Sequence, residues 1–276
     1  MRLSKAGAGA ALMTLVLGVP VAPAAVASTP PGAVAALPAC PQVFGHGGYP
    51  TGAAPWQRDR IRQPNNPRAL AQQKSWGADG VEADLQLTKD GTKGVMWHNA
   101  TTNGLTGTRR AVTDVRWDTG ADRLKGRTIT RGPYAGQTVH TFRDWLDAAR
   151  AKSLIPLVEL KGEAGQSLLN GDATVRERAW REVIAPVKER IAGQEIMIYT
   201  RNAALKPELA RRLDAAGLAA TRTRHPAWVD GVRWQEPPPA AAGNHDRWRS
   251  TLDRAPRRVA TSWTKDYTNW LKGKCA

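Results

Sequence analysis

The chain has 276 residues, of which 41% are hydrophobic and 23% are charged, a composition that is ordinary for a globular protein and excludes wholesale disorder. It contains no strongly apolar run of about 18 residues, which argues against a membrane-spanning helix. Lysine and arginine number 40 against 24 acidic residues, giving a net charge of +16. This excess indicates an anionic partner, such as nucleic acid, phospholipid headgroups, a cell-wall polymer or a phosphate ester, without deciding among them.

The N-terminus has the pattern of a secretory signal peptide. Arg2 and Lys5 precede an apolar stretch, and Ala25-Val26-Ala27 fits the small-residue cleavage rule. A buried N-terminal helix is the alternative. We expect a secreted protein, extracellular or in the cell envelope, whose charge falls to +14 when Arg2 and Lys5 are removed. The expected parts are a signal peptide (1–27), a flexible Pro/Ala-rich leader (28–39) and a single domain (40–276).

The two cysteines of the chain, Cys40 and Cys275, both lie in the part that is expected to be exported, where a disulfide is chemically allowed. A bond between them would tie the start of the domain to its end. Two free thiols are the alternative. Metal binding by this pair is disfavoured, because no further cysteine or histidine accompanies them at ligand spacing.

Strand and helix patterns alternate along most of the chain. Strands are predicted at residues 42–46, 81–87, 94–97, 155–160, 195–199, 218–223 and 258–263. Helices are predicted at residues 66–76, 141–149, 173–192 and 205–216. A Gly/Thr/Arg-rich excursion spans 99–137, and Pro237-Pro238-Pro239 mark a loop. This alternation over about 250 residues favours a TIM-like (β/α)₈ barrel, with a doubly wound sheet as the alternative.

One helix start has a specific signal. Thr141 can cap the helix that follows, because Asp144 stands three residues later, as in a capping box. The apolar residues of this segment fall on one helical face: Phe142, Trp145, Leu146 and Ala149.

Charged residues interrupt two of the predicted strands. Glu82 and Asp84 are two positions apart and therefore point to the same face. Two carboxylates on an inward face repel unless a cation lies between them, and oxygen ligands suit Mg²⁺ or Ca²⁺. A solvent-facing acidic pair on an edge strand is the alternative from spacing alone. Glu159 is a third acid in an otherwise apolar strand, with Lys161 on the same face, and buried charges of this kind imply pairing, a metal or a site.

His46 and His98 each follow a short apolar strand. In a barrel, such strand ends converge on the C-terminal face. Two histidines near one metal ion can serve as general acid and general base. Either histidine alone would be more simply explained as a capped or surface residue.

Together these residues resemble the glycerophosphodiester phosphodiesterase family. Phe44-Gly45-His46-Gly47 is similar to the family's opening motif, and residues 77–91, GADGVEADLQLTKDG, match its second-strand motif almost throughout. Trp97-His98-Asn99 stands where the family has His-Asp, and Val158-Glu159-Leu160-Lys161 resembles its Glu-x-Lys strand. The resemblance covers about residues 42–161 in the right order.

The resemblance implies a TIM-like barrel with assigned site residues. It implies Glu82, Asp84 and Glu159 as ligands of a divalent metal ion, Ca²⁺ or Mg²⁺. It implies His46 and His98 as the acid–base pair and Lys161 as a phosphate contact.

Three departures from the family pattern concern the substrate. Gly47 replaces the arginine that usually follows the first histidine. Asn65-Asn66-Pro67 aligns with Glu-Asn-Thr, so Asn65 replaces a glutamate, and Asn99 replaces an aspartate. The arginine and glutamate look like one lost ion pair, and the bidentate fork of an arginine cannot be replaced by glycine.

The sequence therefore predicts a secreted, metal-dependent phosphodiesterase that acts on a glycerophosphodiester or a related polyol phosphate diester, with a small phosphodiester or phospholipid-derived substrate. We expect a monomer. One alternative is a phospholipase similar to sphingomyelinase D, which also lacks the arginine and would be drawn to an anionic membrane. Another is a catalytically weak barrel that binds an anionic cell-wall polymer, although retention of both histidines and all three carboxylates argues against it.

Nucleic acid is not an expected partner. Residues 201–276 hold 15 Lys/Arg against 7 acids, and tryptophans interleave with them, a pattern that can stack bases. The export signal argues against an intracellular nucleic-acid role, and scattered tryptophans are typical of barrel cores. His140, His225 and His245 match no motif and are expected to be structural.

Overall fold

Parallel strands form the centre of the fold. The computed structural model of the chain describes residues 39–46, 65–130, 134–224, 226–229 and 242–275. The predicted signal peptide and nearly all of the predicted leader lie outside the described residues, as do Gly47, His225 and Pro237-Pro238-Pro239. The strands are β1 (Gln42–His46), β2 (Gly80–Leu87), β3 (Gly94–Met96), β4 (His140–Thr141), β5 (Ile155–Leu160), β6 (Met197–Tyr199), β7 (Ala227–Trp228) and β8 (Arg258–Thr261).

Helices follow most of the strands. They are α1 (Pro67–Ser75), α2 (Phe142–Ala151), α3 (Gly165–Leu168), α4 (Ala173–Lys188), α5 (Leu205–Ala215), α6 (Ala242–Leu252) and α7 (Thr264–Leu271). None of the helices in the described part of the chain has the length and apolar character that crossing a bilayer would require. The predicted start of α2 is confirmed: Thr141 and Asp144 form a capping box, and Trp145 and Leu146 are buried.

The strand pairing is that of a barrel. β1 lies between β2 and the last strand, β8, and all of these pairs are parallel. β2 also pairs with β5, β5 with β6, and β8 with β7, again in parallel. A bridge between Ile198 of β6 and Arg222 then joins β6 to the segment that leads into β7. Pairing of the first strand with the last is the closure that a barrel requires, so the predicted TIM-like fold is confirmed.

The regular pattern is interrupted at β2. Its second half pairs with β3 in an antiparallel sense, and β3 pairs with β4 in the same sense. The structure thereby adds a short antiparallel branch, and the long excursion beyond β3 leads back to it. This branch presents the residues that follow β3 beside the end of β2.

The strands separate an interior face from an exterior face. On β2, Val81, Ala83 and Leu85 belong to the large core between the sheet and the helices. On β1, Phe44 belongs instead to a small interior cluster that includes Leu157 and other residues of β5, β6 and β8. Because side chains alternate along a strand, a residue two positions after an interior residue such as Phe44 or Leu157 also faces the barrel interior. This alternation directs the charged positions of β2 and β5 inward.

A close approach of three strands requires a glycine at the start of β2. Gly80 is the register partner of Phe44 on one side and of Ile155 on the other. A Cβ atom at this position would lie 2.1 Å from Cε1 of Phe44 and 2.5 Å from the carbonyl oxygen of Ile155. No side chain fits there, so Gly80 is needed to pack Phe44 across the barrel interior.

The chain termini of the domain are joined. Cys40, just before β1, forms a disulfide with Cys275, which follows α7, and their Cα atoms are 5.0 Å apart. Cys275 also packs in the cluster that contains Trp248 and Trp263. The disulfide links the strand that carries the first site histidine to the last helix.

One predicted strand is wrong. Residues 218–223 do not form a strand: Ala219–Thr221 is a 3₁₀ turn, and only Arg222 makes a bridge to β6. The backbone N–H and the hydroxyl of Thr221 both donate to the carbonyl of Leu218, which closes the turn locally. Neighbouring alanines offer no β-branched packing that would favour a strand instead.

Candidate active site

The C-terminal ends of the parallel strands bring the predicted polar residues together. β1 ends at His46, whose register partner is Glu82 of β2. Asp84, further along β2, pairs with Glu159 of β5, which pairs with Tyr199 at the end of β6. These positions lie beyond the apolar interior layer, at the end of the barrel where TIM-barrel sites are built.

Three carboxylates form a buried cluster. One oxygen from each of Glu82, Asp84 and Glu159 lies within 4.8 Å of the other two. The residues are only 1%, 4% and 8% exposed. Burial raises the pKa of Glu82 well above its ordinary value, and the nearby charges of Asp84 and Glu159 raise it further. A cluster of negative charge this deeply buried is unfavourable without cations.

Two basic side chains partly neutralise the cluster. Nζ of Lys161 lies 3.2 Å from Oδ1 of Asp84 and 3.7 Å from Oε1 of Glu159. Burial by itself would lower the pKa of Lys161, but the two carboxylates outweigh it and the pKa is raised. Nε of Arg201 lies 3.3 Å from Oε2 of Glu159. Among the described residues, Lys161 and Arg201 are thus two cations that contact the carboxylates of this cluster.

Tyr199 bridges two of the carboxylates. Its hydroxyl lies 3.0 Å from Oε1 of Glu82 and 3.0 Å from Oε2 of Glu159. Burial and these two negative charges raise the pKa of Tyr199, so the phenol stays neutral and donates a hydrogen bond. The sequence reasoning missed Tyr199, because no motif marks it and only its register opposite Glu159 places it here.

His46 lies between Glu82 and the residue after β8. Its Nε2 is 3.7 Å from Oε2 of Glu82, and its Nδ1 is 3.2 Å from the hydroxyl oxygen of Ser262. The ring is buried, at 9% residue exposure. Both ring nitrogens are therefore oriented by named neighbours, and the side chain of Glu82 connects the histidine to the carboxylate cluster.

His98 is positioned by the side chains of Asn99 and of Gln86 on β2. Nδ1 of His98 lies 3.0 Å from Oδ1 of Asn99. Since this amide oxygen can only accept, Nδ1 carries the hydrogen in this contact. The amide nitrogen of Gln86 lies 2.8, 3.2 and 2.7 Å from the carbonyl oxygens of Trp97, His98 and Asn99. Gln86 therefore clamps the backbone on which His98 stands.

Asn65, one of the three departures predicted from the family resemblance, contacts the carboxylate cluster. Its Nδ2 lies 3.1 Å from Oδ2 of Asp84 and 3.2 Å from the carbonyl oxygen of the same residue. The side chain of Asn65 is buried, and its amide donates where a glutamate would present a second negative charge. The backbone N–H of Trp97 donates to the same Asp84 carbonyl, which ties the His98 loop to β2.

The residues present fit a divalent metal ion. The donor set consists of oxygens from Glu82, Asp84 and Glu159, the ligand type that hard divalent cations prefer. Burial and the charges of Asp84 and Glu159 raise the pKa of Glu82, so a cation bound by these oxygens would favour its ionised form. The buried acidic triad could therefore bind a divalent metal.

Comparisons with solved structures agree with the barrel. The chain is 17% identical to a putative glycerophosphoryl diester phosphodiesterase from Silicibacter pomeroyi, with a TM-score of 0.57 over 86% of this chain and 95% of that one. It is 16% identical to a phosphodiesterase from Oleispira antarctica, solved in complex with the product sn-glycerol-3-phosphate, with a TM-score of 0.52 over 84% and 97% of the two chains. These identities establish the fold alone.

A third similar structure is a glycerophosphoryl diester phosphodiesterase domain of an uncharacterised protein from Mycobacterium tuberculosis. It is 15% identical, with a TM-score of 0.42, and the match covers 62% of this chain and 57% of that one. No curated protein matches the chain significantly.

A family-level match covers the centre of the chain. The sequence profile of the glycerophosphoryl diester phosphodiesterase family matches residues 64–236, which is more than half of the 276 residues and includes Glu82, Asp84, His98, Glu159 and Lys161. With this match, and with the barrel and acidic cluster described above, the chain belongs to the glycerophosphoryl diester phosphodiesterase family, whose members are phosphoric diester hydrolases with a TIM-barrel fold.

Proposed function

We propose that the protein is a secreted, divalent-metal-dependent phosphodiesterase that hydrolyses glycerophosphodiesters or related polyol phosphate diesters. The observation that carries this proposal is the buried cluster of Glu82, Asp84 and Glu159 at the C-terminal end of the barrel, beside His46 and with Lys161 inside it. Family membership supplies the reaction class, and the side chains supply groups suited to it.

Glu82, Asp84 and Glu159 would hold the metal ion, and an oxygen-only set suits Ca²⁺ or Mg²⁺. When bound, such an ion supplies positive charge next to a phosphate oxygen and stabilises the charge that develops in the transition state. Lys161 contributes a second positive charge at the same place, because its ammonium group already lies among the carboxylates. The hydroxyl of Tyr199, which lies 3.0 Å from each of Glu82 and Glu159 and shares its one hydrogen between them, would keep both side chains in position.

The two histidines would move the protons. His98 would act as the general base: its Nδ1 can donate to Oδ1 of Asn99, and in that tautomer Nε2 would accept the proton of the attacking hydroxyl. His46 would then protonate the leaving alcohol, and Glu82 stabilises the charged form of this ring at 3.7 Å. Gln86 holds the carbonyls of the His98 loop and thereby fixes the position of the base.

Secretion is supported by the N-terminal pattern and by the disulfide. Residues 1–27 carry the charged start, apolar stretch and small-residue cleavage site of a signal peptide. The bond between Cys40 and Cys275 suits an oxidising compartment. N-terminal sequencing of the exported protein tests this part: cleavage after Ala27 is the expected result, and an intact Met1 in the mature protein would contradict it.

The activity itself is tested with a simple glycerophosphodiester. Purified protein is assayed for alcohol release without metal, with EDTA, and after addition of Ca²⁺ or Mg²⁺, beside a parallel assay on phospholipid vesicles. We expect metal-dependent cleavage of the glycerophosphodiester that EDTA abolishes. Full activity in EDTA would overturn the metal assignment, and cleavage of the vesicles alone would overturn the substrate class in favour of a phospholipase.

A further inference from the structure

A basic cavity opens directly beside the carboxylate cluster. It has a volume of about 1050 Å³, and the described residues that line it include Tyr199 and four cationic side chains: Arg201, Lys206, Arg222 and Arg224. We call it the basic cavity. No acidic residue is among the described residues that line it.

The positive charges of the basic cavity are only partly neutralised. Arg201 contacts Glu159 of the carboxylate cluster. Arg222 lies 3.6 Å from Asp214, but both side chains are about half exposed, so this pair is weak. Within the described part of the chain, Lys206 and Arg224 form no ion pair with a carboxylate. Four cations around one cavity repel each other, and an anionic ligand would relieve that repulsion.

The basic cavity and the carboxylate cluster share two residues. Tyr199 lines the cavity while its hydroxyl contacts Glu82 and Glu159. Arg201 lines the cavity while its Nε contacts Glu159. The basic cavity and the carboxylate cluster are therefore adjacent, with Tyr199 and Arg201 in contact with both.

The donors favour a phosphate group over a single carboxylate. Arginine presents a planar fork of N–H donors that matches phosphate oxygens, and a phosphate carries enough oxygens for several such donors. Three of the four cations are arginines.

We propose that the basic cavity binds a second phosphate group carried by the alcohol part of the substrate, so that the enzyme prefers phosphodiesters whose alcohol is itself phosphorylated. This inference rests on the proposed phosphodiesterase function, because it extends the substrate outward from the carboxylate cluster. The chemical class is a polyol bearing one scissile phosphodiester and one further phosphate.

The test compares two soluble substrates that differ only in the second phosphate: glycerophosphoglycerol, and the same diester phosphorylated on its terminal hydroxyl. Both kcat and KM are measured for the wild type and for the double variant Lys206→Ala/Arg224→Ala. The control is Arg211→Ala, since Arg211 lies on the same helix as Lys206, is exposed, pairs with Glu208, and does not line the basic cavity.

We expect the wild type to favour the phosphorylated diester by roughly tenfold or more in kcat/KM, mainly through a lower KM, as several charge-assisted hydrogen bonds would give. The double variant should lose this preference while its kcat/KM for the plain diester stays unchanged, and Arg211→Ala should keep it. High salt should reduce the ratio of the two kcat/KM values in the wild type, because it screens the charges.

Two failures can be told apart. Equal kcat/KM for both substrates in a wild-type enzyme that cleaves the plain diester overturns the second phosphate site and leaves the proposed function standing. Absence of turnover for both substrates, with metal present, overturns the proposed function itself. A preference that survives in the double variant also overturns the assignment of the basic cavity.

Discussion

The side-chain amide of Asn65 donates to Asp84 twice, to its carboxylate at 3.1 Å and to its backbone carbonyl at 3.2 Å. Both residues are buried. A position that carries a glutamate in the family pattern is used here as a hydrogen-bond donor to a residue of the acidic triad. The amide of Asn65 therefore orients Asp84 through two hydrogen bonds.

Asn65→Leu should weaken metal binding by about 10- to 100-fold, the usual effect of removing a residue that orients a metal ligand. The physical reason is that the buried oxygens of Asp84 lose both donors of this amide. Isothermal titration calorimetry with Ca²⁺ and Mg²⁺ measures the effect, with Asn269→Leu at an exposed position of α7 as the control. Unchanged affinity would show that Asp84 does not need Asn65.

Asn65→Glu should lower activity more than Asn65→Leu, because it places a negative charge against Asp84. Adding Gly47→Arg should recover activity toward a simple glycerophosphodiester, since a guanidinium would pair with the new carboxylate and grip the phosphate. A double-mutant cycle reports the coupling, expected at roughly 0.5–3 kcal/mol. Coupling near zero would mean that the two positions are not neighbours.

Glu82→Gln should abolish metal-supported activity without destabilising the metal-free fold. Burial and the charges of Asp84 and Glu159 raise the pKa of Glu82, so removing its charge relieves repulsion. Melting curves with EDTA and with metal measure this: the variant should melt no lower than the wild type in EDTA and should lose the stabilisation by metal. The substitution Glu177→Gln, at an exposed position of α4, is the matched control and should keep the stabilisation by metal.

His46→Ala and His98→Ala should each lower kcat by about 10²- to 10⁴-fold, the usual contribution of a general acid or base. The bell-shaped dependence of kcat/KM on pH should lose one limb in each variant. His245→Ala is the control, because His245 packs against Trp248 away from the carboxylate cluster. A wild-type rate in either site variant would remove that histidine from the mechanism.

Gln86→Leu should lower kcat by roughly tenfold with little change in KM, because the clamp on the carbonyls of Trp97, His98 and Asn99 is lost and the base is no longer held in place. Gln86→Asn, which is shorter but keeps the amide, should be intermediate. The pH dependence of kcat distinguishes displacement of His98 from a general loss of stability. Only displacement of His98 would change the part of the pH curve that reports the general base.

Breaking the disulfide by Cys40→Ser with Cys275→Ser should lower the free energy of unfolding by up to about 5 kcal/mol in the chain-entropy model, because the bond closes almost the whole domain into a loop. Urea denaturation measures the loss, and mass spectrometry of non-reduced peptides should show the cross-linked pair. Two free thiols in the exported wild-type protein would contradict the pairing.

Much of the fold and part of the site are local properties of the sequence. The two-residue spacing of Glu82 and Asp84 puts both on one face of a strand whatever the strand packs against, and the same holds for Glu159 and Lys161. The capping box at Thr141 likewise depends only on neighbours three residues apart. Strand–helix alternation then leaves few ways to bury the apolar faces, of which the barrel is one.

Tertiary structure decided which distant residues complete the site. Tyr199 reaches Glu82 across 117 positions of sequence, and Asn65 reaches Asp84 because α1 begins beside the end of β2. In the sequence, Gln86 is not distinguishable from other polar strand residues. The antiparallel pairing of β2 with β3 places the loop that carries His98 within hydrogen-bond distance of it. Arg222 lines the basic cavity, and its position follows from the 3₁₀ turn after α5 and the bridge to β6. The register between neighbouring strands and the closure of the barrel determine these contacts. Both depend on packing between strands that are distant in the sequence, which a local sequence pattern does not encode.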